Sequence, residues 1–326
     1  MFFLIAGAGS VLALRWRTPA RYLRERVQRL LVPLVVGYLL LSPVQSFIEE
    51  THFRRYSGSF LSFLPGFFDR VWDDLLEGGF PPGPLVVGWP YHLWFLAFLL
   101  WFSLLGLPLL LWLRGAGGRR LSAGLGRLAE RRGAILLLAL PMALLHVAVR
   151  GLPGEDHGWS ELYYYFDFFL AGGVLLSDGR LAGAVRRDLV PALWLGIVGA
   201  AVLLAGGVVE FFEAWDGRTY SWTYAWMVAL FTVQTWGWVV SALSLGMRAR
   251  FLDRPPPRSV SAAATPFFLL HQPVILAIAF PVVRWAAGIP LKLAVVLLGS
   301  FAVSAALAVA VTRLRHVSAL FGVKPL

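Results

Sequence analysis

The run Leu291–Val311 holds one charged side chain, Lys292, in a stretch otherwise built from Leu, Val, Ala, Phe, Gly and Ser. A helix needs about 20 mostly apolar residues to cross the hydrocarbon core of a bilayer. A surface helix of a soluble protein would carry a polar face, and this run has none. Tyr91–Leu113 and Trp222–Leu245 have the same character. Lipid offers no partners for backbone N–H and C=O groups, so unbroken apolar runs of this length must close their hydrogen bonds as helices. The expected fold class is all-α, a polytopic transmembrane helix bundle.

Composition agrees. Charged residues are 14% of the chain and hydrophobic ones 58%, where soluble domains carry roughly 25% charge. Nine apolar segments are expected, near 1–14, 30–48, 91–113, 133–149, 161–177, 189–209, 222–245, 263–283 and 291–312. No long polar stretch separates them, so residues 1–326 read as a single integral-membrane domain. Cysteine is absent, which excludes disulfides and thiolate metal sites. Asparagine is absent and only Lys292 and Lys324 are lysines, a bias of GC-rich bacterial codon usage.

The connections alternate in charge. Residues 15–29 and 114–132 hold six Arg each, and the segments 178–188, 246–262 and 313–326 bring the total to 22 of the 29 basic residues. The other connections are acidic: Glu49, Glu50, Asp69, Asp73, Asp74 and Glu77 in 49–90, then Glu155 and Asp156, then Glu210, Glu213 and Asp216. Lys and Arg loops stay in the cytoplasm. The Arg-rich loops and the C-terminus are therefore expected inside a bacterial inner membrane. A soluble nucleic-acid binder would not sort its net charge of +11 in this way. Trp89, Tyr91, Trp159, Tyr163, Trp215, Tyr220 and Trp222 fall at the acidic ends, where an interfacial aromatic belt is expected.

Within the outer loop 49–90, residues 59–76 place Phe60, Phe63, Leu64, Phe67, Phe68, Val71, Trp72 and Leu75 at helical spacing. This predicts an amphipathic helix at the outer surface, with Pro65 early enough to be accepted. Met1–Leu14 is shorter than a full span. The simplest expectation is an earlier helix not included here, giving ten segments with both ends in the cytoplasm.

Polar groups inside apolar segments are costly and mark candidate sites. They are His92, in Tyr91-His92-Leu93-Trp94-Phe95-Leu96; His146; Asp167, in Phe166-Asp167-Phe168-Phe169; Gln234; and His271-Gln272-Pro273. A neutral His can accept a proton and a carboxylate can orient it; each could equally make a hydrogen bond between helices. Pro273 frees the carbonyl one turn back, near Leu269, and His271 or Gln272 is expected to serve that break. Arg26 and Arg29, three apart on one helix face, could grip phosphate or could simply hold the loop inside. The His residues lack metal-ligand spacing, and no phosphate loop or Gly-x-Ser-x-Gly elbow occurs.

Phe2-Phe3-Leu4-Ile5-Ala6-Gly7, Arg26-Val27-Gln28-Arg29-Leu30-Leu31-Val32-Pro33, His92-Leu93-Trp94-Phe95-Leu96, Phe166–Gly173 and Phe268-Leu269-Leu270-His271-Gln272-Pro273 together resemble the acyltransferase-3 family of bacterial membrane O-acyltransferases. The resemblance implies transfer of an acetyl or succinyl group from cytoplasmic acyl-CoA to a hydroxyl of a sugar, glucan or other envelope acceptor. It implies no tightly bound cofactor and assigns Arg26 and Arg29 to the donor. The family's catalytic His lies in the helix expected before Met1, so no residue here takes that role. His92, Trp94, Asp167 and His271 are the candidate cavity-lining residues. The alternatives are a transporter or flippase for a lipid-linked sugar, whose internal repeats are not visible, or an inactive truncated homologue.

Overall fold

The computed structural model describes residues 1–54, 56–77, 91–149, 159–206, 222–249 and 257–323. Trp89, Glu155, Asp156, Glu210, Glu213, Asp216, Trp215, Tyr220 and Lys324 lie outside the described residues. Among the described residues every element is helical and no strand occurs. By length and composition four helices can cross a membrane: Pro19–Phe53, Trp222–Gly246, Arg258–Val282 and Ile289–Arg313. Two bent pairs raise the number to six, one bent by 47° after Leu105 and one by 108° after Leu175. Shorter apolar helices cover Phe2–Trp16, Ala134–Val149 and Leu189–Ala205. Among the described residues the predicted segments lie largely on helix; residues 207–209 of the segment 189–209 lie outside the described residues.

The chain forms two compact units. The first comprises Met1–Tyr22 and Trp101–Pro255. It contains α1 (Phe2–Trp16) and, from later in the chain, the helices Leu107–Arg114, Ala116–Ala129, Ala139–Val149, Trp159–Leu175, Gly179–Arg187, Leu189–Ala205 and Trp222–Gly246. In chain order these are α7 to α13. The second comprises Leu23–Leu100 and Pro256–Leu326. It holds the end of α2 (Pro19–Arg26), then α3 (Val32–Leu40), α4 (Ser42–Phe53) and α5 (Phe60–Glu77). The first part of α6 (Trp94–Leu105) follows, then α14 (Arg258–Val282), α15 (Ile289–Arg313) and α16 (Arg315–Leu320).

In the first unit, α1 lies directly on α10. A Cβ on Gly7 would land on the carbonyl oxygen of Phe169, and one on Gly172 would land on that of Leu4. Helices in lipid gain no hydrophobic drive from touching each other, so small residues that bring backbones together carry the packing. The same device joins α12 to α13, where Gly199 faces the Gln234 side chain and Gly237 faces the Ala192 carbonyl. Gln234, a candidate polar group inside its segment, is thus a packing element at that seam.

The arginines of 178–188 join neighbouring helix ends. Arg187 donates to the carbonyls of Ala129, Glu130 and Arg131 at 2.9 Å each. These are carbonyls at the end of α8 that have no partner within the helix. Asp188, wholly buried, accepts from Arg187 at 2.8 Å and from the Gly133 N–H at 2.9 Å. Asp178 caps α11 through the Arg180 N–H and accepts from the Arg180 guanidinium at 2.8 Å. The helix beyond that cap turns away from the span by 108°. The hydrogen bonds from Arg180 push the Asp178 carboxyl down to about 2. A carboxylate with a lowered folded-state pKa stabilises fully above its ordinary value near 3.8, and the contribution fades as pH falls towards 2. Asp178→Asn should lower the unfolding temperature at pH 6 and change it little at pH 2, measured by thermal unfolding across that range. An equal change at both values would show that the charge is not what stabilises the cap.

In the second unit, α2 passes through a π turn at Val27–Leu31 into α3. Gly322, at φ 71°, lies against the Arg29 carbonyl and the Pro33 ring, so the end of the described chain seats on that turn. Leu34, Leu93, Leu96, Ala97, Leu269 and Phe321 form the buried core of the unit. The stretch 59–76 lies on the helix α5. Phe63 and Phe67 are buried and meet Phe47 of α4 and Tyr38 of α3, whereas Phe68 and Trp72, expected on the same stripe, are exposed. Lys292, the single charge in the opening run, donates to the Val283 carbonyl at 2.9 Å and caps the end of α14.

Candidate active site

Pro266, Pro273 and Pro281 interrupt the hydrogen-bond ladder of α14. Pro273 has no N–H, so the Leu269 carbonyl one turn earlier loses its partner. The sequence suggested that His271 or Gln272 would answer it. Instead His92, in the short 3-10 helix Tyr91–Leu93, supplies its Nε2–H to that carbonyl at 3.1 Å. A neighbouring segment reaches an axial carbonyl more easily than a side chain two or three residues along the same helix. His271 turns to the previous carbonyl, with Nδ1 2.6 Å from the Phe268 oxygen.

The two imidazoles are brought together, ring centroids 5.1 Å apart and near perpendicular at 74°. With Nε2 donating to a carbonyl, the neutral His92 ring carries its lone pair on Nδ1. That nitrogen is buried and makes no hydrogen bond. An imidazole oriented by a backbone carbonyl with the opposite nitrogen open is the arrangement of a proton acceptor. Trp94 is half-buried one turn on and packs edge-on to Phe98 at 5.3 Å.

Asp167 belongs to a different cluster, in the first unit. Its Oδ2 lies 2.6 Å from Nε2 of His146. The other nitrogen, Nδ1, is 2.8 Å from Oγ1 of Thr232. Thr232 gives its own proton to the Val228 carbonyl at 2.8 Å, so Nδ1–H must donate to the threonine. The short His146–Asp167 contact departs from ideal hydrogen-bond angles, but at that distance one proton lies between the groups. Tyr164 covers the imidazole, ring centroids 4.2 Å apart. Both nitrogens of His146 are engaged, so it positions Asp167 and has no lone pair left for a substrate. His146 was legible only as an isolated polar residue, because its partners lie 21 and 86 positions away.

Arg26 closes α2 and Arg29 lies within the π turn. Arg29 is exposed and Arg26 half-buried. A π turn closes through i→i+5 bonds rather than i→i+4, so it winds less per residue and takes Arg29 off the face it would share with Arg26 on a regular α-helix. Among the described residues no group of three or more His, Cys, Asp or Glu could hold a metal ion.

These arrangements come from a chain matched over residues 1–312 by the family model for an acyltransferase domain, Acyl_transf_3. Comparison with curated proteins and with solved structures returned no match. The match spans α1 through nearly all of α15 and includes every candidate residue named above. The chain is an acyltransferase with apolar helices able to cross a membrane, and it belongs to the acyltransferase-3 family.

Proposed function

We propose that the protein transfers an acyl group, acetyl or succinyl, from cytoplasmic acyl-CoA to a hydroxyl of a sugar, glucan or other acceptor of the cell envelope. The observation that carries this reading is the family match over residues 1–312. The acceptor oxygen forms a bond to the thioester carbonyl carbon, the carbon–sulfur bond breaks, and the hydroxyl proton ends on the departing CoA thiol. The alternating charge of the loops supports an inner-membrane location with the C-terminus in the cytoplasm.

Arg26 and Arg29 are the proposed donor contacts, at the Arg-rich end of the span Pro19–Phe53. Guanidinium forks suit the phosphates of CoA. Changing both to Ala should weaken acyl-CoA binding by about tenfold or more, since each charged hydrogen bond lost is worth roughly a factor of ten. Orientation should not change, because four Arg remain in residues 15–29. Binding is measured by calorimetry with acetyl-CoA, and orientation by protease access. Unaltered affinity in the double variant would leave the pair with a topological role only.

A further inference from the structure

A cavity of 430 Å³ lies within the second unit, lined in part by Tyr91 and Gln272, the sequence neighbours of His92 and His271. Two helix stripes make its walls. From α4 come Gln45, Ile48, Glu49, His52 and Phe53, and from α14 come Leu276, Ala279, Phe280 and Val283. Each set recurs at helical spacing and so shares one face. Most of the lining is hydrocarbon or aromatic. Phe53 and Val283 are 76% and 51% exposed, so the apolar walls reach the protein surface.

One end of the cavity is different. Gln45 is completely buried, and neither its Oε1 nor its Nε2 has a hydrogen-bond partner. A buried amide with both ends unanswered is strongly disfavoured unless something else answers it. Tyr91 beside it holds φ at 59°, a left-handed conformation that a bulky residue rarely adopts and that tends to collect at ligand sites. Its hydroxyl donates to Glu49 at 2.9 Å, which holds the carboxylate at the same wall.

We infer that this cavity binds an amphiphile with a single hydrocarbon chain and an uncharged, hydroxylated head. The chain lies along Ile48, Leu276 and Phe280. The head meets Gln45 at the polar end, with Glu49 and Gln272 beside it. A hydroxyl is the group that fits, since it donates to Oε1 and accepts from Nε2 at once. A quaternary ammonium can do neither. An anionic head would stand against Glu49. As a description of the acyl acceptor this rests on the acyl-transfer reading; as a binding site it stands without it.

The test uses the whole protein in lipid nanodiscs and an alkyl glucoside carrying a diazirine in its chain. Photolabelled peptides are mapped by mass spectrometry, and acetyl-CoA binding is measured in parallel. Labelling should concentrate on α4 and α14 around Phe53 and Leu276, and Ala279→Trp, which fills the cavity, should abolish it. Gln45→Leu should cut labelling about tenfold, because a neutral hydrogen bond is worth roughly that factor in affinity. It should leave labelling by a diazirine alkane of equal length unchanged. The milder Ala279→Leu serves if the Trp variant does not fold, judged by its thermal transition. Labelling spread evenly over lipid-facing helices, indifference to both Ala279 substitutions, or preference for an alkyl trimethylammonium or alkyl phosphate probe would each overturn the proposal. Labelling without acetyl-CoA binding would defeat the donor reading alone; acetyl-CoA binding without specific labelling would defeat the cavity alone.

Discussion

Gly7→Ala is expected to destabilise the protein by about 3 kcal/mol or more, at the top of the range for forcing extra atoms into a packed interior. The added methyl would land on the Phe169 carbonyl oxygen, and backbone cannot swing aside as a side-chain tip can. Gly172→Ala meets the Leu4 carbonyl on the same interface and should cost a similar amount. Because either change alone pushes α1 away from α10, the double variant should lose less than the sum of the two. By contrast nothing lies near a Cβ on Gly9, so Gly9→Ala should be close to neutral and controls for the effect of the methyl itself. Thermal unfolding in a fixed detergent measures all four. A Gly7→Ala protein as stable as the parent would show that α1 and α10 do not touch in this way.

His146→Ala should cost about 3 kcal/mol, since it leaves a buried carboxyl group without its partner. The loss comes mainly from stranding Asp167, whose Oδ1 already has no partner. His146→Leu combined with Asp167→Leu should return stability to within about 1 kcal/mol of the parent, because apolar replacement of a whole buried pair is often neutral. Thr232 is not stranded by the double change, since its proton goes to the Val228 carbonyl. If the double variant were as unstable as the single one, the pair would owe its effect to shape rather than charge.

Much of this architecture could be read from local composition. Apolar runs and arginine-rich connections report on a residue's own surroundings, so the helices were visible before any coordinates. The family resemblance was visible too, because it rests on short strings in order. Partnerships were not. The carbonyl freed by Pro273 was predictable, but the group that answers it comes from 177 positions away. His146 and Asp167 looked like two unrelated polar residues, and only the packing of α9, α10 and α13 joins them. The cavity was half legible: the spacing of Gln45, Ile48, Glu49 and Phe53 marks one helix face, yet apolar faces in such a chain usually meet lipid or another helix. That this face meets a void depends on how α4 and α14 pack, which no local pattern encodes.

The π turn at Val27–Leu31 bears on how relatives of this chain should be aligned. Such a turn is a helix carrying one surplus residue, accommodated by a local bulge while the helix on either side keeps its course. Deleting one position there would restore a regular helix and still deliver Arg26 and Pro33 to their places. An alignment gap of one residue inside this helix is therefore a conservative change, although gaps within membrane helices are ordinarily penalised. The Arg-x-x-Arg spacing is the quantity that such a deletion would alter, so the bulge sets how far apart two guanidinium groups can be held on one helix.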